Sequence, residues 1–99
     1  MNDTPEIPKP RTAWTIAGSD SSGGAGLQAD LRVFHAFGLH GASVVTAVTA
    51  QNPAAVGAIH YVPDAVVLAQ LEALRPTLPP AAIKIGMAGS PASSAYAIP

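Results

Sequence analysis

Cysteine is absent from the 99 residues, which excludes a disulfide framework, a thiolate metal site and a cysteine nucleophile within this chain. Charge is scarce and balanced: five Lys and Arg against six Asp and Glu leave a net charge of −1. That balance argues against the basic footprint of a nucleic-acid binder and against a chain kept open by self-repulsion. Long hydrophobic runs are lacking as well. The longest weakly polar stretch, Gly41 to Ala50, falls far short of the roughly 20 residues a membrane helix needs. The opening Met-Asn-Asp-Thr-Pro-Glu-Ile-Pro-Lys-Pro has neither a basic segment nor an apolar one behind it, so no secretory leader is expected. A cytoplasmic setting is the expectation, and no internal repeat of useful length is present.

What is there supports a small core. Hydrophobic residues make 48% of the chain, but much of that is alanine; Leu, Ile, Val and Phe number 23, just above the range in which chains fail to build a core. A compact fold of this length buries roughly 64% of its extended surface. Three prolines, Pro5, Pro8 and Pro10, mark residues 1–12 as a disordered or extended lead-in.

Order is expected from Ala13. Ala13 to Ala17 reads as a short strand ending at Gly18, and Gly18 to Gly26 as a loop of small, permissive residues. A helix follows over about Ala25–Phe37, with Leu27, Leu31 and Phe34 at helical spacing and Gly38 as its stop. Gln28, Arg32 and His35 share the opposite, solvated face. Asp30 lies about 45° from the centre of the apolar stripe, where a carboxylate must find a partner or look into a cleft. Ala42 to Ala50, uncharged and rich in β-branched residues, reads as a strand covered on both faces, the habit of parallel sheets. A short edge strand at Ile59–Val62, a helix starting near Pro63-Asp64 and a strand over Ala82–Met87 complete the reading. Val67, Leu71, Leu74 and Leu78 mark the second helix's buried stripe, with Pro76 stopping or bending it. Alternation of this kind predicts an α/β fold built on a parallel sheet with right-handed crossovers. So few strands and helices cannot cover both faces and both edges. Another chain, a second copy or further sequence is expected to finish the sheet.

Ligands of open α/β sheets bind beyond the carboxyl ends of the strands. The Gly18–Gly26 loop, Gln51-Asn52 and Gly86-Met87 converge there, with Asp30 one turn into the helix that opens this edge. The loop matches no nucleotide fingerprint. Gly18 and Gly23 have P-loop spacing, but Gly24-Ala25 stands where Lys and Ser/Thr belong. Gly24-Ala25-Gly26 begins a dinucleotide pattern that Ala29 breaks. Positive φ angles account for one or two of its glycines; a backbone exposed to a polar ligand accounts better for the run Gly23 to Gly26. The Gln51 amide offers a donor and an acceptor side by side, the complement of an amino group next to a ring nitrogen, against the alternative of bonding its own turn. Asp30 has an equally ordinary alternative, pairing with an amide or a nearby lysine. Met87 reads as core or as a soft pocket wall, and Lys84 as snorkelling rather than catalytic. His35, His40 and His60 lack metal-ligand spacing, and no Gly-x-Ser-x-Gly elbow supports a hydrolase built on Ser19 and Asp20.

The run from Thr15 to Leu31, TIAGSDSSGGAGLQADL, resembles the N-terminal signature of the hydroxymethylpyrimidine/phosphomethylpyrimidine kinases of thiamine biosynthesis. The resemblance continues through Gly41–Asn52 and Lys84–Met87 and spans about residues 13–90, leaving 91–99 as a divergent tail. It implies a ribokinase-like, Rossmann-like α/β fold, incomplete here. It also implies transfer of the γ-phosphate of ATP, with Mg²⁺, to the alcohol of 4-amino-5-hydroxymethyl-2-methylpyrimidine and then to its monophosphate. By position, Gln51 matches the glutamine reading the aminopyrimidine edge, Asp30 an aspartate on the same ring substituents, Gly18 the pocket floor and Met87 a pocket wall. The chain corresponds to roughly the first third of the family's usual length, without the later glycine-rich segment that carries the anion hole and catalytic base, and without the ATP region. No catalytic residue is therefore assigned within it, and the chain alone is expected to be inactive. Two alternatives stand beside this: a pyridoxal-kinase-like relative, and a non-catalytic module that binds a pyrimidine or completes another chain's sheet.

Overall fold

The computed structural model describes residues 9–86. Six elements follow in order: β1 (Thr12–Asp20), α1 (Gly26–Ala36), β2 (His40–Gln51), β3 (Val56–Tyr61), α2 (Asp64–Leu74) and β4 (Ala82–Ile85). They build one four-stranded sheet in the order β3-β2-β1-β4. β1 is central and runs parallel to both β2 and β4. Most of the lead-in and all of the tail, residues 1–8 and 87–99, lie outside the described residues.

The sheet is mixed rather than wholly parallel. β3 pairs antiparallel with β2, Ala47 opposite Tyr61 and Val48 opposite His60. The reason is the connection: four residues separate β2 from β3, enough for a hairpin and far too few for a crossover. The hairpin's turn is held by Asn52, whose Oδ1 accepts the Ala54 and Ala55 N–H groups at 2.8 and 3.1 Å.

β1 also outruns its predicted end. Gly18, Ser19 and Asp20 continue as strand, Ser19 pairing with Val48 and Asp20 with Thr49 beyond a bulge. Two residues of β2, Thr46 and Ala47, stand opposite the single Gly18 there, and a bulge of this sort re-aims the strand end. Composition favoured a loop because glycine and serine weaken a strand locally; pairing with β2 overrides that preference.

The core lies between the sheet and α2: Ile16 and Val44 pack with Val67, each at most 2% exposed, and Leu71, Leu74 and Ile83 lean on them. The indole of Trp14 donates to the Leu78 carbonyl at 2.7 Å, tying β1 to the chain after α2. α1 covers the other face, burying Leu27. A Cβ at Gly41 would meet Leu31 Cδ2 at 2.6 Å, so α1 sits on β2 at van der Waals distance from bare backbone. Gly38, at φ +74°, ends α1, and Leu39 N–H returns to the Phe34 carbonyl at 2.9 Å. Beyond Ala47 only one face of β2 stays covered: Val48 is 51% exposed, while Thr49 on the opposite face is buried. Past the end of the β3 pairing, the Gln70 amide from α2 takes over the strand edge, accepting from Val45 N–H at 2.8 Å and donating to Val45 O at 2.9 Å.

Candidate functional site

The site begins at the carboxyl end of β1, where Asp20 organises the loop that follows. Its Oδ1 accepts the Ser22 N–H at 2.9 Å and the Ser22 hydroxyl at 2.7 Å, and its Oδ2 accepts the Ala25 N–H at 2.8 Å. The Ser22 hydroxyl, followed by the Ser22, Ala25 and Gly24 amides, holds the Asp20 carboxyl below its ordinary value, against the opposing effect of burial. One carboxylate thus fixes the loop.

Two glycines of that loop are explained by conformation. Gly23 and Gly26 have φ of +78° and +62°, a region open to glycine and costly for other residues. At Gly26 a Cβ would also fall 2.4 Å from the Gly18 carbonyl oxygen. The start of α1 is therefore pressed onto β1 with no space for a side chain. Gly24 has no such requirement; a Cβ there meets only ordinary contacts.

The glutamine on the first turn of α1 departs from the expected solvated face. Gln28 turns inward: its Oε1 accepts the Asp20 N–H at 2.9 Å, and its Nε2 donates to Ser19 Oγ at 2.8 Å. Helical spacing could not show this, because the partners come from the extra strand length of β1. Arg32 and His35 are exposed as expected.

Gln51, the last residue of β2, stands across from the loop. The Ser21 hydroxyl clamps its backbone, donating to Gln51 O and accepting Gln51 N–H, the latter at 2.7 Å. Its side chain meets the hydroxyl of Thr49 at 3.0 Å. Between these elements opens a cleft of about 230 Å³, lined among others by Gly18, Gly26, Thr49, Gln51, Lys84 and Gly86. Three glycines, Gly18, Gly26 and Gly86, are among its lining residues; a Cβ at Gly86 would crowd Ala17 Cβ at 3.1 Å and Lys84 Nζ at 3.3 Å.

Gly18 and Gln51 are therefore brought together at one cleft. Asp30 is not among its lining residues. Its Oδ2 accepts the Thr15 hydroxyl at 2.6 Å, and Lys84 Nζ lies 3.0 Å from Oδ1 and 3.1 Å from Oδ2. Both oxygens are thus engaged, and Asp30 reaches the cleft at one remove, through the lysine. Met87 lies outside the described residues. Sequence reasoning missed Asp20, Ser21 and Thr49 as builders of the site; the only signal was their place in or beside the strand ends flanking the glycine loop. Among the described residues no group of three or more His, Cys, Asp or Glu side chains could hold a metal ion. No helix among the described residues is long and apolar enough to cross a membrane.

With its parallel sheet core and a cleft at the carboxyl edge lined by Gly18, Gly26, Gly86 and Gln51, the chain has the ribokinase-like fold of its structural neighbours. A phosphomethylpyrimidine kinase from Clostridium difficile superposes with a TM-score of 0.81 at 51% identity, over 84% of this chain and 36% of its own. The pyridoxal kinase of Staphylococcus aureus, solved with AMP-PCP, gives a TM-score of 0.79 at 35% identity, over 89% of this chain and 32% of its own. The family model for phosphomethylpyrimidine kinase matches residues 20–97, and the chain belongs to that family. A hydroxymethylpyrimidine/phosphomethylpyrimidine kinase from Rhizobium meliloti is 55% identical over 75 residues, 76% of this chain. The chain spans 28% of that relative's length.

Proposed function

We propose that this chain is the substrate-side part of a kinase acting on the alcohol of 4-amino-5-hydroxymethyl-2-methylpyrimidine and on its monophosphate. The observation that carries the reading is the convergence of Gly18 and Gln51 on one cleft at the carboxyl ends of β1 and β2. A flat heteroaromatic ring needs a slot without side chains on its faces, and Gly18, Gly26 and Gly86 supply backbone there. It also needs an edge that reads its polar substituents, and a primary amide offers a donor and an acceptor together. Lys84, held by Asp30, brings a cation to the rim, suited to an electron-rich oxygen or to the phosphate of the monophosphate. Asp30 thereby serves the substrate through Lys84, and Met87 is expected to close the wall beyond Gly86.

ATP and Mg²⁺ belong to the reading as the phosphoryl donor and its metal, bound outside residues 9–86. Phosphoryl transfer depends on positioning and charge stabilisation around the moving phosphate, and the described residues supply the acceptor's seat only. A small pyrimidine is the partner expected in a cytoplasmic setting, with a second copy or a complementing chain against the open sheet edge.

The test is titration of the 99-residue chain with the pyrimidine alcohol, followed by amide NMR. Shifts are expected at Gly18, Thr49 and Gln51, with Gln51→Ala weakening binding about tenfold or more, the worth of one good hydrogen bond. An unperturbed spectrum overturns the reading. ATP-dependent turnover by the chain alone overturns the placement of the catalytic parts elsewhere. Pyridoxal is the second ligand to compare, since a pyridoxal kinase shares the fold at 35% identity; tighter binding of pyridoxal transfers the assignment to that class.

A further inference from the structure

Thr49 is 5% exposed and lines the cleft beside Gln51. Its Oγ1 lies 2.8 Å from the Ser19 carbonyl oxygen and 3.0 Å from Gln51 Oε1. A hydroxyl carries a single proton, and both of these neighbours are acceptors. Ser19 O, a main-chain carbonyl, has no proton to give, so its bond uses the one on Thr49. The amide atom facing Thr49 Oγ1 must then be a donor. Oxygen and nitrogen of a primary amide exchange places by a half-turn about the last side-chain torsion, and the hydrogen-bond partners decide between the two. Here they place the NH₂ of Gln51 on Thr49 and leave Oε1, with the second amide N–H beside it, for the cleft. Ser21 already holds the Gln51 backbone on both its N–H and C=O, which fixes where the side chain starts.

From this proton count we infer that Thr49 is a positioning residue that sets the polarity of the Gln51 amide and so selects a ring carrying an amino group over one carrying an oxo group at the same place. The inference rests on the pyrimidine reading above. An amino group next to an unprotonated ring nitrogen presents donor then acceptor; an oxo group next to a ring N–H presents the reverse. An amide free to turn serves both. One locked by Thr49 serves the first and leaves the second with facing acceptors and facing donors, the kind of mismatch that discriminates strongly.

Two measurements on the 99-residue chain test it. In the unliganded protein, the Gln51 side-chain NH₂ protons are expected to show NOE contacts to the Thr49 side chain. NH₂ contacts only to residues across the cleft overturn the inference, and this readout needs no variant to fold. The second measurement compares 4-amino-5-hydroxymethyl-2-methylpyrimidine with its 4-oxo analogue by NMR titration. The wild-type chain is expected to prefer the amino compound by about tenfold or more, the preference to shrink below about threefold in Thr49→Val, and Thr49→Ser to restore it. Full preference retained in Thr49→Val overturns the inference and leaves the pyrimidine reading intact. Failure of the wild-type chain to bind either compound overturns that reading, and the role of Thr49 with it.

Discussion

Lys84 and Asp30 are 54 residues apart in the chain, yet the lysine Nζ lies 3.0 Å from Asp30 Oδ1. The two partners are unequally buried: the lysine side chain is 51% exposed and the aspartate 14%. The second aspartate oxygen accepts the hydroxyl of Thr15, which is fully buried in β1. The pair therefore joins α1 to β1 and β4 at a point just below the cleft, and its two ends do different work.

The inequality predicts an asymmetry in stability. Asp30→Ala leaves the buried Thr15 hydroxyl without its acceptor and is expected to cost about 1–3 kcal/mol. Lys84→Ala removes one half-exposed, solvent-screened partner and is expected to cost less than about 1 kcal/mol. Urea unfolding followed by the emission of Trp14, the single tryptophan and 4% exposed, measures both. Equal losses would contradict the asymmetry.

Asp20 predicts a pH dependence. Its folded-state pKa is lowered from 3.8, chiefly by the Ser22 hydroxyl. A carboxylate depressed on folding stabilises the fold fully above the unfolded pKa, and that contribution is lost as pH falls through the folded value. The Ser22, Gly24 and Ala25 amide shifts are thus expected to titrate with a midpoint below the ordinary aspartate value. Asp20→Asn should flatten that transition, and an unchanged profile in the variant would assign it to another group.

Gly26 and Gly38 share a positive φ, at +62° and +74°, but differ in surroundings. Gly38→Ala meets nothing within 4 Å and is expected to lose only the conformational preference, about 1–2 kcal/mol. Gly26→Ala drives a methyl to 2.4 Å from the Gly18 carbonyl oxygen, and a loss beyond about 4 kcal/mol or outright unfolding is expected. Thermal melts of the two variants separate the effects; comparable melting points would refute the close approach of α1 to β1.

Trp14→Phe keeps an aromatic ring in the core but leaves the Leu78 carbonyl without the indole N–H now 2.7 Å away. A loss of about 1–2 kcal/mol is expected, read by far-UV circular dichroism in urea.

Much of this architecture is legible in the sequence, and the exceptions have physical causes. The stripe Leu27, Leu31 and Phe34 and the glycine stop at 38 announce α1, because local spacing and a left-handed φ are properties of neighbouring residues. The start of α2 at Asp64, behind Pro63, is legible for the same reason. Ser19 and Asp20 look like loop because their strand character comes from pairing with Val48 and Thr49, more than 25 residues away. Gln28 looks solvated until that added strand length presents an N–H and a hydroxyl to it. Asp30 looks as ready for a ligand as for a lysine, since no local feature says that β4 will bring Lys84 alongside.

The sequence by itself determined the kinds of elements, their order, the carboxyl edge at which the glycine loop and Gln51 gather, and the family signature. Tertiary structure alone decided that β3 runs antiparallel, that Asp30 is occupied by Thr15 and Lys84, and that the Thr49 hydroxyl stands within hydrogen-bond reach of both the Ser19 carbonyl and the Gln51 amide. Element type follows from interactions within a few residues along the chain. Partner choice for a buried polar group depends on which distant backbone and side-chain atoms the folded sheet carries to within 3 Å of it.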